Sequence, residues 1–292
     1  MIMKGTVIAL GTFDGVHLGH RRIIKDTVSY ARRRGLLSVA TTFDPHPQQF
    51  IVPERGLRLL TTLMERKELL SDLGIGRVKV FKFNKALQKL SYTEFVSKYL
   101  VKGLNVQTVF VGFDHAFGRG RAGNVGELRR LGKKIGFGVK MVRPVKLRHT
   151  AIKSSIIREL IARGDFNRAI RYLGHSYRLT GKVVRGERRG RTLGFPTANL
   201  KLDEHKLIPQ HGVYAGTALG RRCVVNIGAR PTFGADGVAI EVHIPGYSGD
   251  LYGKTIAVEL VKKIRNEIQF PDVRELKEQI LKDIAISRKV ML

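Results

Sequence analysis

Two textures of apolar and polar positions divide the chain. Up to about Arg143, short β-branched runs alternate with amphipathic stretches, and Thr6 to Leu10, Ser38 to Thr42, Val78 to Phe83, Thr108 to Phe113 and Val139 to Val142 read as strands. Helical periodicity fills the gaps. Ile23, Ile24, Val28 and Ala31 fall on one helical face, and Ser91-Tyr92-Thr93-Glu94 is a capping box opening a helix that carries Phe95, Val96, Tyr99 and Leu100. Strand and helix in alternation predict a doubly wound parallel α/β sheet covered on both faces. Two more helices are predicted, Ser154 to Arg163 and Phe166 to Leu173, the second capped by Asp165 and closed by Gly174.

From about Tyr177 the period shortens. Arg178 to Val184, Val213 to Ala218, Cys223 to Ile227, Ile240 to Ile244 and Thr255 to Lys262 alternate apolar with polar positions between Gly and Pro, and a helix begins near Val273. That pattern predicts a small β-barrel with a terminal helix. The domain boundary is therefore expected at 175/176, giving domains 1–175 and 176–292.

At 292 residues, 43% hydrophobic and 26% charged, the composition suits two globular domains and excludes intrinsic disorder. No apolar run approaches the roughly 18 residues of a membrane span, so no membrane partner is expected. Residues Met1 to Gly11 lack a secretory pattern and Cys223 is the single cysteine, which together give a cytoplasmic expectation. The net charge is +29, divided as +18 over residues 1–150 and +11 over 151–292, so it is spread and forms no tail. Such a field draws phosphate-bearing partners without naming one. The chain has no zinc-finger spacing and no aromatic RNA-recognition signature, so nucleic acid is not expected as a specific partner, only in a basic side role. A homo-oligomer stays open.

Two stretches carry candidate chemistry. Gly11-Thr-Phe-Asp-Gly-Val-His-Leu-Gly-His20 joins the first predicted strand to the first predicted helix, where an α/β sheet presents ligands. Its small residues admit a close backbone approach, the helix N-terminus offers N–H groups to a phosphate, and His17 and His20 add donors. Zinc would want further ligands, and no Cys cluster or carboxylate pattern supplies them. His46, between Pro45 and Pro47, reads by itself equally well as a rigid turn. The second stretch runs from Gly181 to Asn199. Arg185, Arg188, Arg189 and Arg191 are candidate phosphate partners, and the Thr197 hydroxyl and Asn199 carbonyl are hard oxygens of the kind Mg²⁺ accepts; a basic hairpin with an ordinary Pro-Thr turn fits the same residues.

These motifs resemble a known family. The first stretch is similar to the His-x-Gly-His signature of nucleotidylyltransferases, in the form seen in prokaryotic bifunctional riboflavin kinase/FAD synthetases. Thr42-Phe-Asp-Pro-His-Pro47 resembles that family's second nucleotide motif, Gly112-Phe-Asp-His-Ala-Phe-Gly-Arg-Gly-Arg121 its flavin-side loop, and Lys153-Ser-Ser-Ile-Ile-Arg158 its phosphate-binding motif. Gly-Phe-Pro-Thr-Ala-Asn at 194–199 resembles the riboflavin kinase signature, followed in order by Gly212-Val-Tyr214, Asn226 to Phe233, Glu241-Val-His243, Asp250-Leu-Tyr-Gly253 and a second flavin-side segment, Ile264 to Phe270. The resemblance covers nearly the whole chain.

It implies ATP-dependent phosphorylation of riboflavin to FMN in the C-terminal domain and adenylylation of FMN to FAD plus pyrophosphate in the N-terminal one. For adenylyl transfer it implies His17 and His20 as catalytic residues, Gly11, Phe13, Asp14 and His46 around ATP, and Ser154, Ser155 and Arg158 on its phosphates. Asp114, Phe117 and Arg121 would face the flavin. For the kinase it implies Glu241 as base and Gly181, Lys182, Gly186 and Arg191 with Thr197 and Asn199 around ATP, with Mg²⁺ on Thr197 and Asn199 and the flavin beside Arg265. Lys153 departs from the motif, which has a small hydroxyl residue there. A kinase whose adenylyltransferase is weakened by that cation is the alternative reading.

Overall fold

The computed structural model describes residues 5–186, 190, 193–229 and 237–290. It forms two compact units, Met1–Ser154 and Ser155–Leu292.

In the first unit, β1 (Thr6–Ala9), β2 (Leu37–Asp44), β3 (Arg77–Lys82), β4 (Val106–Gly112) and β5 (Gly138–Val142) make a parallel sheet in the order β3-β2-β1-β4-β5. Successive strand residues point to opposite faces, so the sheet builds two cores. Val7, Ala9, Ala40 and Phe110 pack with Ile24 and Ala31 of α1 (Leu18–Arg33). Ile8, Val39, Val109 and Val111 pack on the other side with Phe95, Leu100 and Leu128. Between β2 and β3 lie α2 (Pro47–Ile51) and α3 (Leu63–Asp72); α4 (Lys85–Lys89), α5 (Tyr92–Phe95) and α6 (Val125–Ile135) follow. A short hairpin, β6 (Lys146–Leu147) with β7 (Thr150–Ala151), completes the unit. The strand order reverses between β1 and β4, and their C-terminal ends are where such a sheet receives ligands.

In the second unit α7 (Ser154–Ala162, its first residue in the first unit) and α8 (Phe166–Leu173) precede a closed antiparallel barrel in the order β10-β11-β12-β9-β8-β13. Its strands are β8 (Tyr177–Val184), β9 (Thr197–Leu202), β10 (Gly212–Ala218), β11 (Arg221–Ala229), β12 (Val238–His243) and β13 (Thr255–Arg265). Leu179, Val225, Val242 and Val258 are buried at alternate strand positions. The terminal helix α9 (Val273–Lys289) is capped by the Asp272 carboxylate, which accepts from the Glu275 N–H at 2.9 Å, and packs Ile284 on Val213 and Val224. No helix among the described residues is long and apolar enough to cross a membrane. Burial pushes the Cys223 thiol up to about 12, so it stays protonated and unreactive.

Three local expectations differ from the structure. Thr197–Leu202 is a strand of its own, which the polar Thr-Ala-Asn opening concealed. The capping box at Ser91 forms, but after Phe95 the helix widens into a π-helix over Val96–Lys102. Asp165 occupies the cap position of α8 at φ −79, ψ 54 without accepting a cap hydrogen bond; its carboxylate turns to Arg168, 3.8 Å away.

Candidate active sites

The loop after β1 is held in an uncommon shape. Phe13, Gly15 and Val16 all have positive φ (54, 82 and 37), a costly conformation for Phe and for β-branched Val, and one that persists only where neighbours over-determine it. Those neighbours are visible. The Thr41 hydroxyl accepts from the Gly11 N–H at 3.2 Å, the Thr42 hydroxyl donates to the Thr12 carbonyl at 2.7 Å, and the Gly15 N–H donates to the Thr61 hydroxyl at 3.0 Å. A Cβ at Gly15 would stand 2.6 Å from Leu60.

Asp14 is the main anchor. Its carboxylate, 1% exposed, accepts from the Leu60 N–H (3.1 Å), the Thr61 N–H (2.9 Å) and the Thr61 hydroxyl (3.0 Å), with the Arg66 guanidinium 3.6 Å away and equally buried. Sequence reasoning put Asp14 among the ATP ligands; in the structure its side chain faces the interior, because a buried carboxylate needs these donors and a cation. Its backbone carbonyl accepts from the Ser154 hydroxyl at 2.9 Å.

His17 caps α1, its Nδ1 accepting from the His20 N–H at 3.3 Å, so Nε2 carries the ring proton. The His17 and His20 rings stack with centroids 3.6 Å apart and 17° between planes, and the Phe13 edge meets His20 at 5.2 Å. A Cβ on Gly19 would press on the His17 ring at 3.1 Å, so glycine lets that ring lie over the helix end. Gly11, Phe13, His17 and His20 thus form one group at the N-terminus of a sixteen-residue helix. His46 is buried and caps α2, accepting from the Gln48 N–H at 3.2 Å.

The segment after β4 carries the flavin-side candidates. Asp114 is exposed and pairs with Lys153, Nζ to Oδ2 3.4 Å. Phe117 is half-buried against Phe95 (5.8 Å), and Arg121 is exposed with φ 60. His115 stacks on Phe117 at 5.5 Å with its Nε2 buried and unpartnered, and burial lowers its pKa to about 4 although Asp114 opposes the shift. Ser155 and Arg158 lie on α7 in the second unit, Arg158 one turn beyond Ser154.

In the second unit the strand register aligns the candidates. Asn199 stands opposite Glu241, Glu241 opposite Asn226, Asn226 opposite Val213, and Val213 opposite Arg265, one row across four neighbouring strand pairs. Thr197, opposite His243, lies two residues from Asn199 on the same face. Gly186 belongs beside this row, since a Cβ there would collide with the Asn199 amide. Gly181 pairs with Leu202 and exposed Lys182 with Lys201. Arg191, Arg188, Arg189 and the segment 230–233 lie outside the described residues.

Arg265, expected beside the kinase flavin, stands at the end of this row with its guanidinium engaged inside the unit. Its guanidinium grips Asp283 of α9 (Nε 3.0 and 3.1 Å, Nη2 2.7 Å) and donates to the Asn266 carbonyl at 3.0 Å. Asp283 is 2% exposed, so the cation compensates a buried charge and fastens the terminal helix to the barrel. Farther along β12, Phe195, Pro196, His243, Tyr247, Leu281 and Arg288 line a cavity of about 300 Å³.

Thr197 and Asn199 fit Mg²⁺ in part: they offer neutral hard oxygens beside the Glu241 carboxylate, and no cluster of three His, Cys, Asp or Glu exists among the described residues. A divalent ion held there would have to bring its remaining oxygens with it, as nucleotide phosphates do. Sequence reasoning missed Thr61, Arg66 and Asp283. Thr41, which precedes the Thr42–Pro47 motif, did leave a signal, since it forms with Thr42 a pair of consecutive buried hydroxyls inside a strand.

The two groups of candidate residues lie on two different folds, and comparison with known proteins shows a family for each. The FAD synthetase family model matches residues 1–156 and the riboflavin kinase model residues 173–291, which leaves most of α7 and α8 outside both. Bifunctional riboflavin kinase/FMN adenylyltransferases from Escherichia coli (36% identical, covering 98% of this chain and 93% of that protein) and Bacillus subtilis (37%, 95% and 90%) align along nearly the full length. A crystal structure from Streptococcus pneumoniae described as a macrolide-efflux protein superposes with a TM-score of 0.87 at 30% identity, covering 100% of this chain and 96% of that one. The chain belongs to the bifunctional riboflavin kinase/FMN adenylyltransferase family. It joins an FAD synthetase module to a riboflavin kinase module in that order.

Proposed function

We propose that the barrel transfers the γ-phosphoryl group of ATP to the 5′-hydroxyl of riboflavin, and that the α/β unit then joins FMN to the adenylyl group of a second ATP, giving FAD and pyrophosphate. The observation that carries the kinase half is the placement of Glu241 directly opposite Asn199. Side chains so paired have Cβ atoms about 5 Å apart, close enough for a carboxylate and a nucleotide-side oxygen to serve one reacting centre. Glu241 accepts the proton of the attacking hydroxyl, and Thr197 and Asn199 orient the triphosphate. Mg²⁺ held by Thr197 and Asn199 would neutralise phosphate charge. Arg265 acts at one remove, keeping α9 against the barrel.

Adenylyl transfer needs no protein nucleophile. An FMN phosphate oxygen attacks the α-phosphorus while pyrophosphate leaves, and the protein supplies position and charge stabilisation. His17 donates from Nε2, His20 stacks behind it, and the N-terminus of α1 faces the phosphates, with Ser154, Ser155 and Arg158 as further phosphate ligands. Asp14 contributes by holding the loop. The reading keeps the functional boundary at 175/176 and a cytoplasmic location. Purified protein given riboflavin, excess ATP and Mg²⁺ should accumulate FAD by way of FMN on chromatographic separation; no phosphorylated flavin would refute the reading.

A further inference from the structure

Lys153 is the position at which the chain departs from its family's phosphate motif, and its charge goes elsewhere. The neighbouring Ser154 is tied by its hydroxyl to the Asp14 carbonyl at 2.9 Å, which fixes the backbone beside the loop after β1. From that anchor the lysine side chain runs to the end of β4. Its ammonium lies 3.4 Å from Asp114 Oδ2 and 5.7 Å from the centroid of the Phe113 ring. The rest of that segment holds itself: the His115 N–H donates to the Gly112 carbonyl (3.3 Å), Phe117 and Gly123 exchange backbone bonds of 2.9 Å, and the Arg119 N–H donates to the Leu90 carbonyl (2.7 Å). Phe113 and Asp114 form its exposed tip, and Lys153 touches both.

We propose that Lys153 is a positioning residue for the flavin side of the adenylyltransferase site, holding Phe113 and Asp114 in place, and is not a ligand of the ATP phosphates. The proposal rests on the FMN-adenylylating function above. An ion pair about half exposed adds little to stability, so its effect is order at the tip. One ammonium bridging a carboxylate and an aromatic face restricts two consecutive side chains at once. The residue therefore serves the flavin although its neighbours in sequence serve the nucleotide.

The test is steady-state adenylyl transfer from ATP to FMN, varying each substrate, for the full-length wild type, Lys153→Ser, Lys153→Arg, Asp114→Asn and the double variant Lys153→Ser/Asp114→Asn. Lys153→Ser should raise KM for FMN about three- to tenfold while KM for ATP and kcat stay within about twofold. Lys153→Arg should restore KM for FMN, and the double variant should raise it by less than the product of the two single effects, because both changes break the Lys153–Asp114 contact. A rise in KM for ATP with KM for FMN unmoved would make Lys153 a phosphate ligand and overturn the proposal, as would no change in either. Wild-type turnover in the same assay separates the two levels: with it present, a silent Lys153→Ser defeats this proposal alone. A wild type that forms no FAD removes the underlying function and the proposal with it.

Discussion

Asn199 and Gly186 are in close contact: a Cβ added at residue 186 would occupy the space of the Asn199 amide and displace it. Asn199 in turn faces Glu241, so the packing of one glycine sets the position of the proposed kinase centre. Gly186→Ala should therefore lower riboflavin phosphorylation by about 10²-fold, the cost of a displacement near 1 Å, while FMN adenylylation by the same protein is unchanged. Separate rate measurements from riboflavin and from FMN check this; equal losses in both would point to general misfolding.

The Asp14–Arg66 pair predicts a stability effect confined to the first unit. Both groups are 1% exposed, and removing one partner strands the other charge. Arg66→Met should cost about 3–5 kcal/mol. In calorimetry the transition of the α/β unit would fall by roughly 10 °C, with barrel unfolding unchanged. Asp14→Asn combined with Arg66→Met should recover part of the loss, since no buried charge is left unpaired.

His115 predicts a pH dependence. Burial holds its folded pKa at about 4, below its unfolded value of about 6.5, so the native state binds fewer protons between those values. Stability contributed by this residue is therefore present above pH 6.5 and lost as pH falls towards 4. His115→Phe should flatten the slope of stability against pH in that window in denaturant titrations. An unchanged slope would show that the imidazole titrates normally.

The sequence and the structure part company where long-range pairing decides. Strands such as Leu37–Asp44 and Arg221–Ala229 were legible because β-branched runs between Gly and Pro report their own burial. The motif residues were legible because small residues and histidines at a strand-to-helix junction have few other uses. Asp14 and Arg66 are 52 positions apart, and each alone reads as a solvated charge; nothing local announces that they meet in the interior. Arg265 and Asp283 have the same character, and the cross-strand row at Glu241 depends on register, which the sequence does not print. Lys153 was legible as a departure from its motif, but its partner was not, because Asp114 comes from another loop.

If two separate sites perform consecutive reactions, single variants in each should block one reaction and spare the other. His17→Ala and Glu241→Gln should each be supplied with riboflavin, and separately with FMN, alongside ATP and Mg²⁺. His17→Ala should convert riboflavin and stop at FMN. Glu241→Gln should lose about 10²–10⁴-fold in phosphorylation of riboflavin yet adenylylate added FMN at the wild-type rate. Loss of both reactions in either variant, or FAD formation from FMN by His17→Ala at the wild-type rate, would contradict the account.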